Sequence, residues 1–394
     1  MKKNKFGVVL SAELFSFAAV AMSFFSAATW AAYDQGDRNW IEPELSSWYD
    51  SNIFRKAKND MSIAQRSDYV WQPKVSGHVD IDLSRQNFFL DSAVFNRNYQ
   101  QHSDLNYTGV NNSLGWNWVL GSDWSGVLQY DIVHDLSSFE DINTAQRDMY
   151  TSNNLKSSVL HKITSNWQIL AEAKTDHESH SMNDELNLHS LMLGGGIRYI
   201  TDKGSEIAVR RDHSSIEYNN DYFIWTAEER GYQQDANQFI FMWPISDKLK
   251  STLNFGQIKW HYDSDNFSDS SAFGGVKLEW QTTGKTKFTG SYNRQMNMPN
   301  QSLDTSMNET YNLTETWQST EKLGFDISYR LNSQQYTGVN ARTDDTTMYR
   351  INCNWSPVLN WVTSIYMQYQ TRESEFATYI YTAETVGISL HYRY

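Results

Sequence analysis

One cysteine, Cys353, stands in 394 residues. A lone thiol excludes an internal disulfide and any cysteine-built metal centre. No basic surroundings that would activate it are evident, so it reads as a small apolar side chain on a strand. Five prolines and 20 glycines are too few for a collagen-like or low-complexity chain. After the first thirty residues no apolar run approaches the ~18 residues that a membrane helix requires. Positive charge is scarce: 33 Lys and Arg against 46 Asp and Glu leave a net charge of −13. A chain of that sign is a poor nucleic-acid binder, because phosphate recognition needs clustered cations. Leucine is modest too, and a soluble core of this length is normally richer in Leu, Ile, Val and Ala.

Aromatic residues are abundant, with 15 Trp, 23 Tyr and 19 Phe. They stand beside many Ser, Thr, Asn and Gln residues. An apolar exterior, a wet interior and aromatic girdles together produce this mixture in a membrane β-barrel.

The N-terminus has the form of an export signal. Lys2, Lys3 and Lys5 precede a mostly apolar stretch from Phe6 to Phe25, interrupted by Glu13. Small residues follow, and cleavage after Ala28 or Ala31 satisfies the small-residue rule. The division expected is a signal peptide over 1–31 and a barrel over 32–394. An uncleaved helical anchor is the alternative, opposed by Glu13 and the Ala-rich ending. Removing three lysines and one glutamate takes the net charge from −13 to −15.

The rest of the chain alternates with period two, which sends successive side chains to opposite faces of a strand. Tyr69, Trp71, Val75, Val79 and Ile81 share one face, and Val70, Gln72, Lys74, Ser76, His78 and Asp80 the other. Trp167, Ile169, Ala171 and Ala173 oppose Gln168, Glu172 and Lys174. Leu323, Phe325, Ile327, Tyr329 and Leu331 oppose Gly324, Asp326, Ser328 and Arg330. Trp361, Ile365, Met367 and Tyr369 oppose Ser364, Gln368 and Gln370.

Turn signals set the architecture. Tight turns fall near Asp82–Arg85, Gly121–Asp123, Thr164–Asn166, Asp202–Gly204, Ser246–Lys248, Thr283–Lys285, Ser319–Glu321 and Pro357–Asn360. The connections between them are longer and more polar, as in Lys56 to Arg66, Asn219 to Gly231 and Met298 to Met307. Short turns at one end and long loops at the other are the pattern of an up-and-down antiparallel outer-membrane barrel. The strand starts, near Trp40, Asp68, Gln86, Asn106, Asp123, Arg147, Trp167, Leu186, Ser205, Gln234, Leu249, Ser271, Lys287, Asn308, Lys322, Thr346, Trp361 and Tyr379, give about 18 transmembrane strands, with 16–18 compatible. An even number puts both termini on the periplasmic side. Trp124, Trp167 and Trp361 follow tight turns directly, where an amphipathic ring suits the headgroup level. The C-terminal run Val386, Ile388, Leu390, Tyr392 and Tyr394, alternating with Gly387, Ser389, His391 and Arg393, resembles the terminal strand that barrel-insertion machinery recognises.

Motifs for chemistry are scarce. The sequence contains no G-x-S-x-G elbow, phosphate loop or H-E-x-x-H pair, and no catalytic residue, metal site or cofactor is expected. Gly194-Gly195-Gly196 interrupts a strand and suits a bend or a close backbone approach. Asp176-His177-Glu178-Ser179-His180 is the densest set of potential metal ligands, but a solvated loop tip reads the same way. With apolar alternates outward, Glu172, Lys174, Arg198, Glu206 and Arg210 line the lumen on one part of the wall. Lys277, Glu279, Asp326, Arg330 and Arg350 line it on the other. Such a mixed-sign lumen suits a hydroxyl-rich solute, and 16 to 18 strands leave room for an aqueous channel.

The segment Trp40-Ile41-Glu42-Pro43-Glu44-Leu45-Ser46-Ser47-Trp48-Tyr49-Asp50-Ser51-Asn52-Ile53-Phe54-Arg55 resembles the start of the EpsL-like outer-membrane β-barrel porins of exopolysaccharide gene clusters (β-barrel porin 2 family). Ser67-Asp68, Asn98-Tyr99 and Asp104-Leu105-Asn106-Tyr107 extend the resemblance, which is sharp over about the first seventy mature residues. It implies a passive outer-membrane channel, surrounded by lipid and lipopolysaccharide, through which an exopolysaccharide is exported. It also implies a separate periplasmic polysaccharide-export protein, since no helical repeat domain is present. It supplies no catalytic residues. Uptake of oligosaccharides or small solutes is the first rival. An outer-membrane enzyme and a plugged structural or adhesin barrel are the others. The acidic net charge favours neutral or weakly charged cargo, unless Arg198, Arg210, Arg330 and Arg350 form a local basic track.

Overall fold

A computed structural model describes residues 38–140, 145–218, 231–262, 268–297, 306–336 and 341–394. The signal peptide expected over 1–31 falls outside these residues, as do most of the expected loops 219–231 and 298–307.

Eighteen antiparallel strands form one closed sheet. They are β1 (Trp40–Asp50), β2 (Asp68–Leu83), β3 (Gln86–Tyr99), β4 (Tyr107–Leu120), β5 (Trp124–Leu136) and β6 (Met149–Lys162). Next come β7 (Trp167–His180), β8 (Leu188–Ile200), β9 (Glu206–Tyr218), β10 (Gly231–Ser246), β11 (Leu249–Tyr262) and β12 (Ser268–Gln281). The ring is completed by β13 (Thr286–Asn297), β14 (Ser306–Thr320), β15 (Leu323–Tyr336), β16 (Arg342–Trp355), β17 (Trp361–Ser374) and β18 (Tyr381–Tyr392). Each strand pairs with its sequence neighbours, and β18 pairs with β1 from Thr385 opposite Asp50 to His391 opposite Glu44. Tyr394 lies beyond the last strand but still exchanges backbone hydrogen bonds with Ile41, at 2.8 and 2.9 Å. Closure leaves no open edge in lipid, where an unpaired backbone group costs several kcal/mol.

The strand count and the eight tight turns match the sequence pattern. Strand starts differ most at the loop end. β16 begins at Arg342, four residues before Thr346, and β10 at Gly231, three before Gln234. There the ladder continues into polar residues where alternation no longer marks it. Arg342 and Asp344, both buried on the inner face, pair with each other instead of contributing an apolar alternate.

Outside, the wall carries the apolar alternates. Ile327, Tyr349, Ile351, Ile365 and Met367 are all exposed on adjacent strands. Near the tight turns an outward ring of Trp124, Trp167, Trp243, Trp280, Trp317, Trp355 and Trp361 marks one interface. Cross-strand rings support it, as in Trp124 stacked on His161 at 4.1 Å and Trp317 on Phe325 at 5.4 Å. Such pairs each contribute roughly 0.2–1 kcal/mol. The turns are also tied to one another. The Arg85 guanidinium donates to the Gly121 carbonyl, Lys285 to Ser319 O at 3.0 Å and Lys322 to Pro357 O at 2.8 Å. Each cation thus reaches the next turn around the rim.

Cys353 lies on the outward face of β16, opposite Ile365 and Phe325, and is half-buried among them. In intact membranes it is expected to react with a lipid-soluble maleimide and to resist a charged, water-soluble one. Rapid labelling by the charged reagent would contradict this facing.

Candidate functional site

The residues that carry the family resemblance form a folded knot inside the loop-end mouth. Asp50 ends β1 pointing inward and is buried. Its carboxylate accepts two hydrogen bonds from Arg55, each 2.9 Å, one from the Asn52 N–H at 2.8 Å and one from Thr385 at 3.3 Å. Asn52 then fastens the turn. Its Oδ1 accepts from Lys56 N–H at 3.1 Å, and its Nδ2 donates to Lys56 O at 2.8 Å and to Thr382 O on β18 at 3.0 Å. Arg55 adopts a left-handed φ of 54°, a conformation kept only where surrounding bonds over-determine it. Burial opposes the Arg55 charge, yet Asp50 and Glu140 outweigh it and hold its pKa above the ordinary guanidinium value.

This turn sends the loop over residues 51–67 into the barrel. Ile53, Phe54 and Ala57 are buried, and the first two pack on Val70, Phe95, Tyr99, Leu105 and Tyr107 of the inner wall. A second loop, after β5, meets it. Phe139 contacts Phe54 edge-on at 5.1 Å. Glu140 accepts from Gln370 at 2.7 Å, and its backbone carbonyl accepts from Arg372 at 2.9 Å, both on β17. The two loops therefore span the sector from β17 to β5 and narrow the mouth. Between them and the wall lies a cavity of about 290 Å³, lined by Trp48, Asp50, Arg55, Arg97, Tyr99, Phe139 and Glu140 among others.

A common device ties down the loop-end hairpins. Asp68, fully buried, accepts the backbone N–H groups of Gln100, Gln101 and His102 at 2.9–3.1 Å. Asp148, equally buried, accepts from Met182 N–H and Ser137 Oγ and pairs with His180 at 2.7 Å. Burial alone would raise the Asp148 pKa, but hydrogen bonds from Asn183, His180, Met182 and Ser137 outweigh it and hold it below the ordinary value. Asn106 and Asn187 each accept the N–H seven residues earlier, from Tyr99 and His180. Leu105 and Leu186, each one residue before its asparagine, are buried in short 3-10 turns. The repeated Leu-Asn pair was a legible signal that alternation did not use.

All ten proposed lumen residues belong to the inward alternation, but they do not act as one group. Arg210 pairs with Glu172 at 3.2 Å and Asp212 at 2.7 Å. Glu172 also receives Lys156, and Lys174 pairs with Asp176 at 3.0 Å. Arg198 pairs with Glu206 at 3.5 Å and bonds Gln168. Glu279 takes both Lys277 and Lys287. Asp326 accepts from Asn352 and Asn354. Arg330 bonds Asn312 at 2.8 Å, and Arg350 lies over the Tyr366 ring at 4.3 Å. Arg198 and Arg210 are thus neutralised, and the four arginines considered together do not form a basic track. Among the described residues, the inward arginines with no carboxylate at ion-pair distance are Arg97, Arg330, Arg350 and Arg372, in the sector from β15 to β3. The alternation assigned Arg330 and Arg350 to the lumen but gave no reason to single out Arg97 or Arg372.

Glycines let large groups lie flat on this wall. A Cβ at Gly387 would meet the Tyr366 ring at 2.4 Å, and one at Gly109 the Phe95 ring at 2.2 Å. At Gly194, within the triple-glycine run, it would meet Asp212 at 2.0 Å and Arg210 at 2.9 Å. The run serves close approach of that ion pair. The histidine cluster divides across the wall. His180 faces inward between Asp148 and Glu178, while His177 lies on the outward face beside His189 at 6.3 Å. Among the described residues the compact set of metal-type ligands is instead Glu42, Glu44 and His391. Arg393 and Lys74 already bond those two carboxylates, at 2.6 and 3.0 Å.

In structural comparison, a BenF-like porin from Pseudomonas fluorescens Pf-5 aligns with a TM-score of 0.51 at 8% identity, covering 90% of this chain and 99% of that one. Pseudomonas aeruginosa OccK2 (OpdF) aligns with a TM-score of 0.50 at 7% identity, covering 90% and 97%. No protein-family model matches the sequence, and no curated protein matches it. The chain therefore has the fold of outer-membrane porins, a closed 18-stranded antiparallel barrel.

Two substitutions test the mouth. Asp50→Ala leaves Arg55 buried without its main partner, which costs roughly 3–5 kcal/mol. The expected result is tryptic cleavage near Arg55–Lys58 and a higher single-channel conductance. Unchanged protease resistance would refute the role of the knot. Gly387→Val forces the Tyr366 ring off the wall, and conductance is expected to fall while the barrel remains heat-modifiable on gels.

Proposed function

We propose that this protein is a passive outer-membrane conduit for a saccharide chain and that it exports an exopolysaccharide. The observation that carries the reading is the lumen lining. Tyr366, Phe95, Phe89 and Phe273 lie over Gly387, Gly109, Gly115 and Gly256, with the amides of Gln72, Asn312, Asn352 and Gln368 on the same inner face. A sugar presents an apolar ring face and a rim of hydroxyls, so it can move from one ring to the next while exchanging hydrogen bonds with the amides. Nothing in such a lining supplies energy, so the driving force comes from synthesis and from a separate periplasmic export protein. Outer-membrane lipid and lipopolysaccharide surround the barrel in this reading, and insertion machinery takes up its last strand.

The narrowed mouth favours a second reading, uptake of a small saccharide. Deletion of the gene separates the two. Export predicts loss of surface polysaccharide with a periplasmic backlog. Unchanged surface polymer together with slower growth on oligosaccharides would replace export by uptake.

A further inference from the structure

We propose that the cavity under the two inward loops is a subsite for a single sugar ring bearing a carboxylate, a hexuronic acid residue. The inference rests on the saccharide reading and names the sugar class that the mouth selects.

The chemistry follows from what each polar group in the cavity already bonds. Asp50 and Glu140 are the two lining carboxylates, and Arg55 stands against both, at 2.9 and 3.7 Å. That triad sets one cation against two carboxylates and keeps one excess negative charge, so an entering anion has no partner there. Arg97 is different. Its guanidinium carbon lies 5.6, 5.5 and 5.4 Å from the ring centroids of Trp48, Phe95 and Tyr107. Its Nε donates to Gln72 at 2.9 Å. No carboxylate of the described residues lies at ion-pair distance from it. The aromatic surround removes water from the cation, and Asp135, held behind Tyr107, acts on it only from beyond ion-pair distance, so the attraction for an anion that enters is strengthened. A carboxylate accepts the guanidinium's remaining N–H groups as a fork, a geometry a neutral hydroxyl cannot reproduce.

The remainder of the cavity fits a ring. Trp48, Tyr99 and Phe139 add aromatic surface to the lining beside Arg97. A volume of about 290 Å³ stands at the small end of the ~300–1,000 Å³ usual for ligand pockets. That admits a monosaccharide unit and not a folded oligomer. A polymer would therefore present its acidic residues one at a time as it passes.

The test is isothermal titration of the full-length mature barrel in detergent with digalacturonic acid and with its methyl ester. The acid is expected to bind about tenfold more tightly, equal to ~1.4 kcal/mol. Arg97→Gln should abolish that preference while ester binding persists. Arg97→Lys should restore part of it, since the charge returns without the fork. Trp48→Ala should weaken acid and ester alike. Heat-modifiability and unfolding midpoints of each variant report whether the barrel is intact. Equal binding of acid and ester by the unmodified protein would overturn the proposal, as would an Arg97→Gln variant that keeps the preference. These outcomes are independent of the gene-deletion result. Surface polymer lost on deletion with no uronate preference would leave export standing and remove this subsite.

Discussion

A backbone in lipid has no water to bond, and this constraint governs the rest of the structure. It requires every ladder to be paired and the last strand to meet the first. Once β18 closes on β1, each strand has a fixed inside and outside. The period-two pattern then becomes a partition of the described strands, with most aliphatic residues and the tryptophan ring near the tight turns outward and most amides, hydroxyls and charges inward. Polar groups are expensive only on the lipid side, so the inner face is free to carry function.

The inner face uses that freedom unevenly. On one part of the wall, ion pairs such as Arg210 with Glu172 and Asp212 consume their own charge, and Gly194 makes room for them. In the sector from β15 to β3, Arg342 and Arg393 are paired with carboxylates, but Arg97, Arg330, Arg350 and Arg372 lie on aromatic rings or bond neutral groups instead. The two loops that enter the mouth dock on this second sector. Their anchors, Asp50 with Arg55 and Glu140 with Gln370, hold the enclosed mouth against Arg97 and its aromatic neighbours. Glycine beneath the aromatic rings keeps the same wall from obstructing the lumen. The arrangement is a graded surface, with weak exchangeable contacts along the wall and one more enclosed position at the mouth.

Loop anchoring by buried aspartates also separates two stabilities. The barrel depends on ladder pairing and its apolar exterior. The mouth depends on a few charge-assisted hydrogen bonds around Asp50, Asp68 and Asp148. The mouth can therefore loosen without unfolding the barrel, because the two sets of interactions share few residues.

Alternation and turn chemistry by themselves determined the architecture. Trp167-Gln168-Ile169 or Leu323 through Leu331 admit one facing each once a membrane barrel is assumed, and the tight turns count the hairpins. They also put the ten charged candidates on the polar alternate of their strands, since a strand sends every second side chain the same way. The sequence did not determine which of those residues neutralise one another. Arg210 and Glu172 are 38 positions apart, and only the register of β7, β8 and β9 brings them together. Nor did it identify the mouth. The segment Tyr-Asp-Ser-Asn-Ile-Phe-Arg stood out in the sequence only by resemblance, and its inward fold depends on Thr382 and Thr385, more than 300 residues away. Arg97 stood unremarked among polar alternates until the tertiary structure surrounded it with three rings and left no carboxylate of the described residues at ion-pair distance. Local pattern is short-ranged and fixed by backbone geometry, whereas charge pairing and enclosure are set by closure of the ring.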